Sequence, residues 1–278
     1  MASNGALAAE RIGLVAGSGR LPLLVAEAAR ARGLAVVAVA HRGETDPALE
    51  SRVASLTWVR VGQVDRILRA LRAGGVERAV MAGGLGKVHA LSNARPDLGA
   101  IRILSRLRSL GDDGLLRAVA GYFEDRGVRV VAATELLPEV LAPEGHLAGP
   151  KLNPAQRADA ELGAQVARAL GRADVGQTVV VKGGAVLAVE AVEGTDATLR
   201  RAGELGGRGG VVVKLCKPGQ DERFDLPAVG EKTLEVMREA GLSALVVEAR
   251  RTVLLDAAAL FRAADRLGIS IEAMGSHK

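Results

Sequence analysis

Ile12-Gly13-Leu14-Val15-Ala16-Gly17-Ser18-Gly19-Arg20-Leu21-Pro22 joins a short apolar run to a glycine turn. The turn leads into Leu23 to Arg32, whose apolar residues recur at helical spacing until Gly33 stops them. A second apolar run, Ala35 to Ala40, follows at once and completes a βαβ unit, which requires a parallel sheet and a right-handed crossover. The pattern then predicts a helix from Gln63 to Ala73, a strand from Arg78 to Ala82, a second glycine turn at Gly83-Gly84-Leu85-Gly86 and a helix near Leu98 to Leu110. Asp112-Asp113 opens another helix, Gly114 to Arg126, ahead of a strand from Val128 to Ala133. This half reads as a Rossmann-like, doubly wound α/β domain.

Four prolines between Pro138 and Pro154 break that texture and place a join at Leu141 to Asn153, dividing the chain into domains 1–145 and 146–278. Beyond the join, a helix is predicted from Ala155 to Leu170. Gln177 to Lys182 and Ala185 to Ala191, separated by Gly183-Gly184, read as a hairpin and therefore as an antiparallel pair. Helices are expected after Thr195-Asp196 and at Glu231 to Ala240 and Ala257 to Leu267. Strands are expected at Val211 to Leu215, Leu245 to Glu248 and Val253 to Leu255. The second domain is thus a mixed-sheet α/β domain.

With 278 residues, 49% hydrophobic and 25% charged, the chain can bury a core and is not a disordered polar polymer. Its single cysteine, Cys216, forms no intrachain disulfide and sits in an apolar run that marks it as a core residue rather than a nucleophile. No signal-peptide core opens the sequence, and no run approaches the roughly 18 to 20 apolar residues of a membrane span, which predicts a cytoplasmic protein. A net charge of +5 suggests an anionic partner: nucleic acid, a phosphorylated small molecule or a lipid headgroup. Only 2% of residues are aromatic, too few for the stacking platforms of a single-strand binder, so nucleic acid is not expected.

Gly17, Ser18 and Gly19 at a strand-to-helix turn can bring backbone N–H groups to a phosphate, and Gly83 and Gly84, with Lys87 as a cation, form a second such turn at the same sheet edge. A tight turn with no ligand explains a lone glycine turn equally well. In Gly111-Asp112-Asp113-Gly114 one aspartate is explained as a helix N-cap and the other is left over for a ligand or metal. The second domain carries acids on loops after strands: Glu190, Glu193 and Asp196, then Asp221, Glu222 and Asp225. Such carboxylates suit Mg²⁺, which takes one or two of them and completes its shell with water and substrate phosphate. Lys214, Lys217 and Arg223 beside them would hold diphosphate oxygens, with Thr195 a further substrate contact. The competing reading is a solvated loop with salt bridges. The four histidines lack zinc-ligand spacing, no GxSxG elbow exists, and the second strand ends Ala40-His41-Arg42 without the acid that holds an NAD ribose.

Gly17-Ser18-Gly19-Arg20-Leu21-Pro22, Gly111-Asp112-Asp113, Asp174-Val175-Gly176-Gln177, Glu190 to Asp196, Lys217-Pro218-Gly219-Gln220-Asp221 and Arg223 to Gly230 together resemble the UDP-2,3-diacylglucosamine pyrophosphatases of the LpxI type in lipid A biosynthesis. The match runs in order over nearly the whole chain. It implies a two-domain cytoplasmic enzyme of a Gram-negative bacterium, peripheral at the inner membrane. The implied reaction is Mg²⁺-dependent hydrolysis of UDP-2,3-diacylglucosamine to UMP and 2,3-diacylglucosamine 1-phosphate (lipid X), with water attacking the β-phosphorus. The family's essential aspartate falls on Asp225, as metal ligand or as the base that orients water, and the metal set would be drawn from Asp225, Asp221, Glu193 and Asp196. A homodimer is compatible with this reading. The rival is a nucleotide- or sugar-phosphate-binding module without catalysis, against which the clustered carboxylates argue.

Overall fold

Ile12 to Ala16 are all buried, which makes β1 (Arg11–Ala16) the centre of the first sheet. The computed structural model describes residues 10–85, 94–106, 112–206, 208–224 and 226–275. Two compact units divide the chain, Met1–Leu137 and Pro138–Lys278.

In the first unit β1 leads through α1 (Leu21–Ala31) to β2 (Ala35–His41), and β3 (Ser55–Val59) leads through α2 (Val64–Ala73) to β4 (Arg78–Ala82). After these come α3 (Leu98–Leu104), α4 (Asp112–Glu124) and β5 (Arg129–Val131). The strand order is β3-β2-β1-β4-β5 and every pairing is parallel. The chain winds outward from β1 to β3, then returns past β1 to β4. Right-handed crossovers in opposite directions put their helices on opposite faces, which is double winding. Gly13 lies under α2, where a Cβ would collide with Leu71, Val76 and Ala79. The helices α2 and α3 cap one another: Asp97 accepts from the Asp65 and Arg66 amides at 2.8 and 3.2 Å, and Asp65 accepts from the Gly99 amide at 2.8 Å.

The second unit holds β6 (Gly145–Ala148), α5 (Pro154–Arg172), β7 (Thr178–Lys182), β8 (Ala185–Val189), α6 (Thr195–Glu204) and β9 (Val211–Lys214). It continues with β10 (Ala228–Val229), α7 (Glu231–Glu239), β11 (Ala244–Glu248), β12 (Val253–Leu254), α8 (Ala257–Leu267) and β13 (Ser270–Met274). Its main sheet runs β6-β13-β11-β9-β7-β8 and is mixed: β9, β11 and β13 are parallel, while β6, β7 and β8 each pair antiparallel with a neighbour. One face packs Val180, Val212, Leu245 and Val247 with α6, α7 and α8, and the other packs Val179, Val181, Val211 and Val213 with α5. The Gly183-Gly184 hairpin is present, and the buried Asp159 of α5 accepts from both of its amides, at 2.8 and 2.7 Å.

Four strands, β3, β6, β10 and β13, are not in the sequence reading. The helix expected to reach Leu110 is described only as Leu98–Leu104, with residues 107–110 outside the described set. The units divide ahead of the expected join at Leu141 to Asn153. Leu141 already bridges Val253, and the Ala142 amide donates to Thr252 O at 2.9 Å, so this stretch is stitched into the second unit.

Candidate active site at the edge of the second sheet

Antiparallel pairing sets Thr178, the first residue of β7, opposite Lys214, the last of β9, and parallel pairing sets Lys214 beside Val247 of β11. The end of β8 meets the same edge, since the Glu190 amide donates to Thr178 O at 2.8 Å. One sheet edge therefore collects the segments that follow β8, β9 and β11, including the Lys217 to Asp221 loop and the Glu193 to Asp196 turn.

Side-chain alternation puts Thr178, Glu190 and Lys214 on the face covered by α6. Gly194 caps that helix with φ +81°, a left-handed conformation that explains why glycine precedes Thr195. The Thr195 hydroxyl donates to Glu190 Oε1 at 2.9 Å and accepts from Lys214 Nζ at 3.1 Å. The same ammonium also reaches Ala228 O at 3.4 Å. Glu193 turns outward to Arg201 at 2.7 Å, and its own backbone N–H, followed by Arg201, holds its carboxyl below the ordinary value.

The loop after β9 is shaped by Gln220, a buried side chain whose Oε1 accepts from the Lys217 amide at 2.9 Å and from the Cys216 thiol at 3.1 Å. Glu248, also buried, accepts from the Cys216 amide at 3.0 Å. Cys216 is a buried free thiol, as its apolar setting implied. Lys217 pairs with Asp174 at 2.8 Å, Asp221 with Arg223 at 2.8 Å, Asp196 with Lys232 at 3.6 Å and Glu222 with Arg251 at 2.8 Å. Asp225 lies outside the described residues, as do Lys87 and the side chains of Asp112 and Asp113.

Among the described residues no group of three His, Cys, Asp or Glu could by itself hold a metal ion. Glu193, Asp196 and Asp221 are each engaged by a different basic side chain. Mg²⁺ needs only one or two carboxylates, and on this loop Asp221 has both oxygens bonded by Arg223, at 3.0 and 2.8 Å, so a metal held there would take the place of that guanidinium. Sequence reasoning named Glu190 only as one of the loop acids and did not single out Gln220; the partners of both depend on strand register and loop closure. Four buried oxygens on segments at this edge have no hydrogen-bond partner among the described residues: Gln177 Oε1, Thr178 Oγ1, Glu190 Oε2 and Thr252 Oγ1. Groups of that kind mark strain, function or a place for a bound water or ion.

The first unit places Gly17, Ser18, Gly19, Gly83 and Gly84 at the ends of β1 and β4, the point where its strand order reverses and ligands of such sheets bind. Much of their backbone is committed locally. The Gly17 amide donates to Ala82 O at 2.8 Å and the Ser18 amide to Gly84 O at 2.7 Å. A Cβ on Gly17 would strike Gly84 O, and one on Gly83 would strike Ser18 O. Beside Gly17, the buried His41 Nδ1 and the Thr45 hydroxyl both bond Ala16 O, at 2.9 and 2.7 Å. Burial lowers the His41 pKa, partly offset by that carbonyl.

The family model described as the LpxI N-terminal domain matches residues 11–140, and that described as the LpxI C-terminal domain matches residues 143–272. The UDP-2,3-diacylglucosamine pyrophosphatase LpxI of Caulobacter vibrioides is 38% identical over 272 residues, 94% of this chain and 96% of that protein. Among solved structures, the biotin carboxylase domain of a Hydrogenobacter thermophilus 2-oxoglutarate carboxylase is 12% identical, with a TM-score of 0.30 over 64% of this chain and 36% of that one. The biotin carboxylase subunit of a pyruvate carboxylase is 13% identical, with a TM-score of 0.29 over 66% of this chain and 38% of that one. This chain thus spans little more than a third of either carboxylase chain, and likenesses of that size bear on neither fold nor function.

Proposed function

The chain belongs to the LpxI family, and from that premise we propose that it hydrolyses the diphosphate of UDP-2,3-diacylglucosamine to UMP and 2,3-diacylglucosamine 1-phosphate. The observation that carries this reading is the concentration of charge at one edge of the second sheet, where Lys214 ends β9 and Lys217, Asp221 and Arg223 follow it in a loop folded around buried Gln220. Diphosphate cleavage needs neutralised phosphoryl oxygens and a positioned water. Lys217 and Arg223 supply donors for the oxygens, and Asp225 orients the water or joins Asp221 as a metal ligand. Mg²⁺, when bound there, would add charge neutralisation of the diphosphate. Attack falls on the β-phosphorus, and UMP leaves.

A peripheral contact with anionic membrane belongs to the same proposal. No helix among the described residues is long and apolar enough to cross a membrane. What supports a surface contact is α3, where Leu98, Ile101 and Leu104 recur at one-turn spacing and are 67%, 52% and 43% exposed, beside exposed Arg102 and Arg106. Sedimentation with anionic vesicles should weaken as salt rises, and binding indifferent to lipid charge and salt counts against it.

The reaction is tested with Asp225→Ala and Asp225→Asn on the diacylated UDP-sugar in ¹⁸O-water. Both variants should lose turnover by orders of magnitude with substrate affinity much less changed. In the wild type, label should enter the sugar phosphate. Label in UMP, or an Asp225→Asn enzyme close to wild type, overturns the mechanism.

A further inference from the structure

We propose that Glu190 is a positioning residue of this enzyme, acting through Thr195 on Lys214 and through Lys214 on the end of the loop that carries Asp225. The inference rests on the reading of Asp225 as the group that performs the hydrolysis.

The geometry is a relay of three contacts. Glu190 Oε1 accepts the hydrogen bond of the Thr195 hydroxyl at 2.9 Å, which turns a lone pair of that hydroxyl toward Lys214 Nζ at 3.1 Å. Lys214 Nζ also bonds Ala228 O at 3.4 Å, on the strand that receives the loop three residues after Asp225. A threonine hydroxyl has one proton, so accepting it at Glu190 decides which way the hydroxyl faces the ammonium. Register reinforces the arrangement, because Thr178 and Lys214 are cross-strand partners and the Glu190 amide is bonded to Thr178 O. A Cβ on Gly176 would strike Glu190 O, so the backbone at Glu190 is pinned from a second side.

Stability does not account for Glu190. It is only 8% exposed, and its Oε2 is buried with no hydrogen-bond partner among the described residues, as is the neighbouring Thr178 hydroxyl. A buried carboxylate with an unspent acceptor carries a desolvation cost that one hydrogen bond only partly offsets. Retaining one is understandable where it orders a functional cation, since natural proteins accept local instability at the sites that work. Glu193 lies three residues away on the same turn but points outward to Arg201, and has no part in the relay.

The protein is tested as Glu190→Gln, Glu190→Met, Thr195→Val and Thr195→Ser, each assayed for kcat, KM and melting temperature, with Glu190→Met/Thr195→Val as the double variant. Glu190→Met should lower kcat by about 10- to 100-fold, with KM changed little, the range seen when the support of a reacting group is removed, whereas Glu190→Gln, whose amide oxygen still accepts from Thr195, should keep most of it. The melting temperature of Glu190→Gln should be unchanged. Thr195→Val should lose activity comparably and Thr195→Ser should keep most of it. The double variant should be no slower than the slower single one, because the two residues act as a unit. Wild-type kcat in Glu190→Met, a change confined to KM, additive losses in the double variant, or a melting temperature lowered in step with activity each overturn the proposal. If Glu190→Met does not fold, the Thr195→Val and Thr195→Ser pair decides the outcome. An active Asp225→Ala enzyme would instead remove the reading on which the inference rests, and the two failures are thereby distinguished.

Discussion

The two sheet edges solve opposite problems. At the end of β1 and β4 the first unit presents backbone, and its glycines are accounted for by each other: Gly17 and Gly83 lie too close to Gly84 O and Ser18 O for any side chain. At the ends of β8, β9 and β11 the second unit presents buried or half-buried ions and amides, with several oxygens left without partners. Glycine turns at a switch point can be required by packing alone, whereas buried polar groups without a protein partner need strain, function or a bound water or ion to explain them.

Gly17 carries the largest expected effect. If the turn is a packing device, Gly17→Val should destabilise the first unit by about 3 kcal/mol through overpacking, read by denaturant unfolding. A variant of wild-type stability that binds substrate poorly would make the turn a ligand cradle instead. Lys217→Met should show the reverse pattern in the second unit. Its partner Asp174 is 55% exposed, so that pair adds little to stability, while loss of a charge-assisted phosphate contact should lower kcat/KM about tenfold.

His41 sharpens the contrast on a smaller scale. Its folded pKa lies below the ordinary 6.5, so the unfolded chain binds more protons between the two values. Stability is therefore highest above about pH 6.5 and falls as pH drops toward the folded pKa, by at most about 1.4 kcal/mol per pH unit for one proton. His41→Gln should flatten that part of the unfolding profile, and an unchanged slope would assign it to other groups. The smallest effect is expected at Glu222, which is 54% exposed in its bond to Arg251. Glu222→Ala should change stability by less than about 0.5 kcal/mol and leave turnover near wild type, which separates the surface of the loop from its working side chains.

The alternation of apolar runs, glycine turns and helical periodicity made the first sheet legible from sequence, because parallel central strands are short and continuously apolar. β3 escaped because an edge strand with half-buried Leu56, Thr57 and Trp58 carries a weaker pattern. β6 lay hidden among the prolines that read as a join, and its partner β13 stands at the far end of the same unit, so no local signal announces the pairing of Ala148 with Ile271 or of Gly145 with Ala273. The identities of Thr195, Lys214 and Lys217 could be read at the site. Their pairings could not, since the relay through Glu190 exists only once β7 and β9 set Thr178 opposite Lys214.

The pairing of β6 with β13 also has a consequence for synthesis. β6 is the first strand of the second unit and β13 its last, with Glu272 opposite His146. A ribosome delivers the first unit's strands in an order that lets neighbours along the chain pair as they emerge. It delivers β6 long before the strand that will cover its edge. During that interval β6 has no β13 to bond, and the late, long-range closure makes the second unit the slower to complete. Nascent chains halted before Ser270 should therefore protect the first unit from protease while leaving β6 open to cleavage.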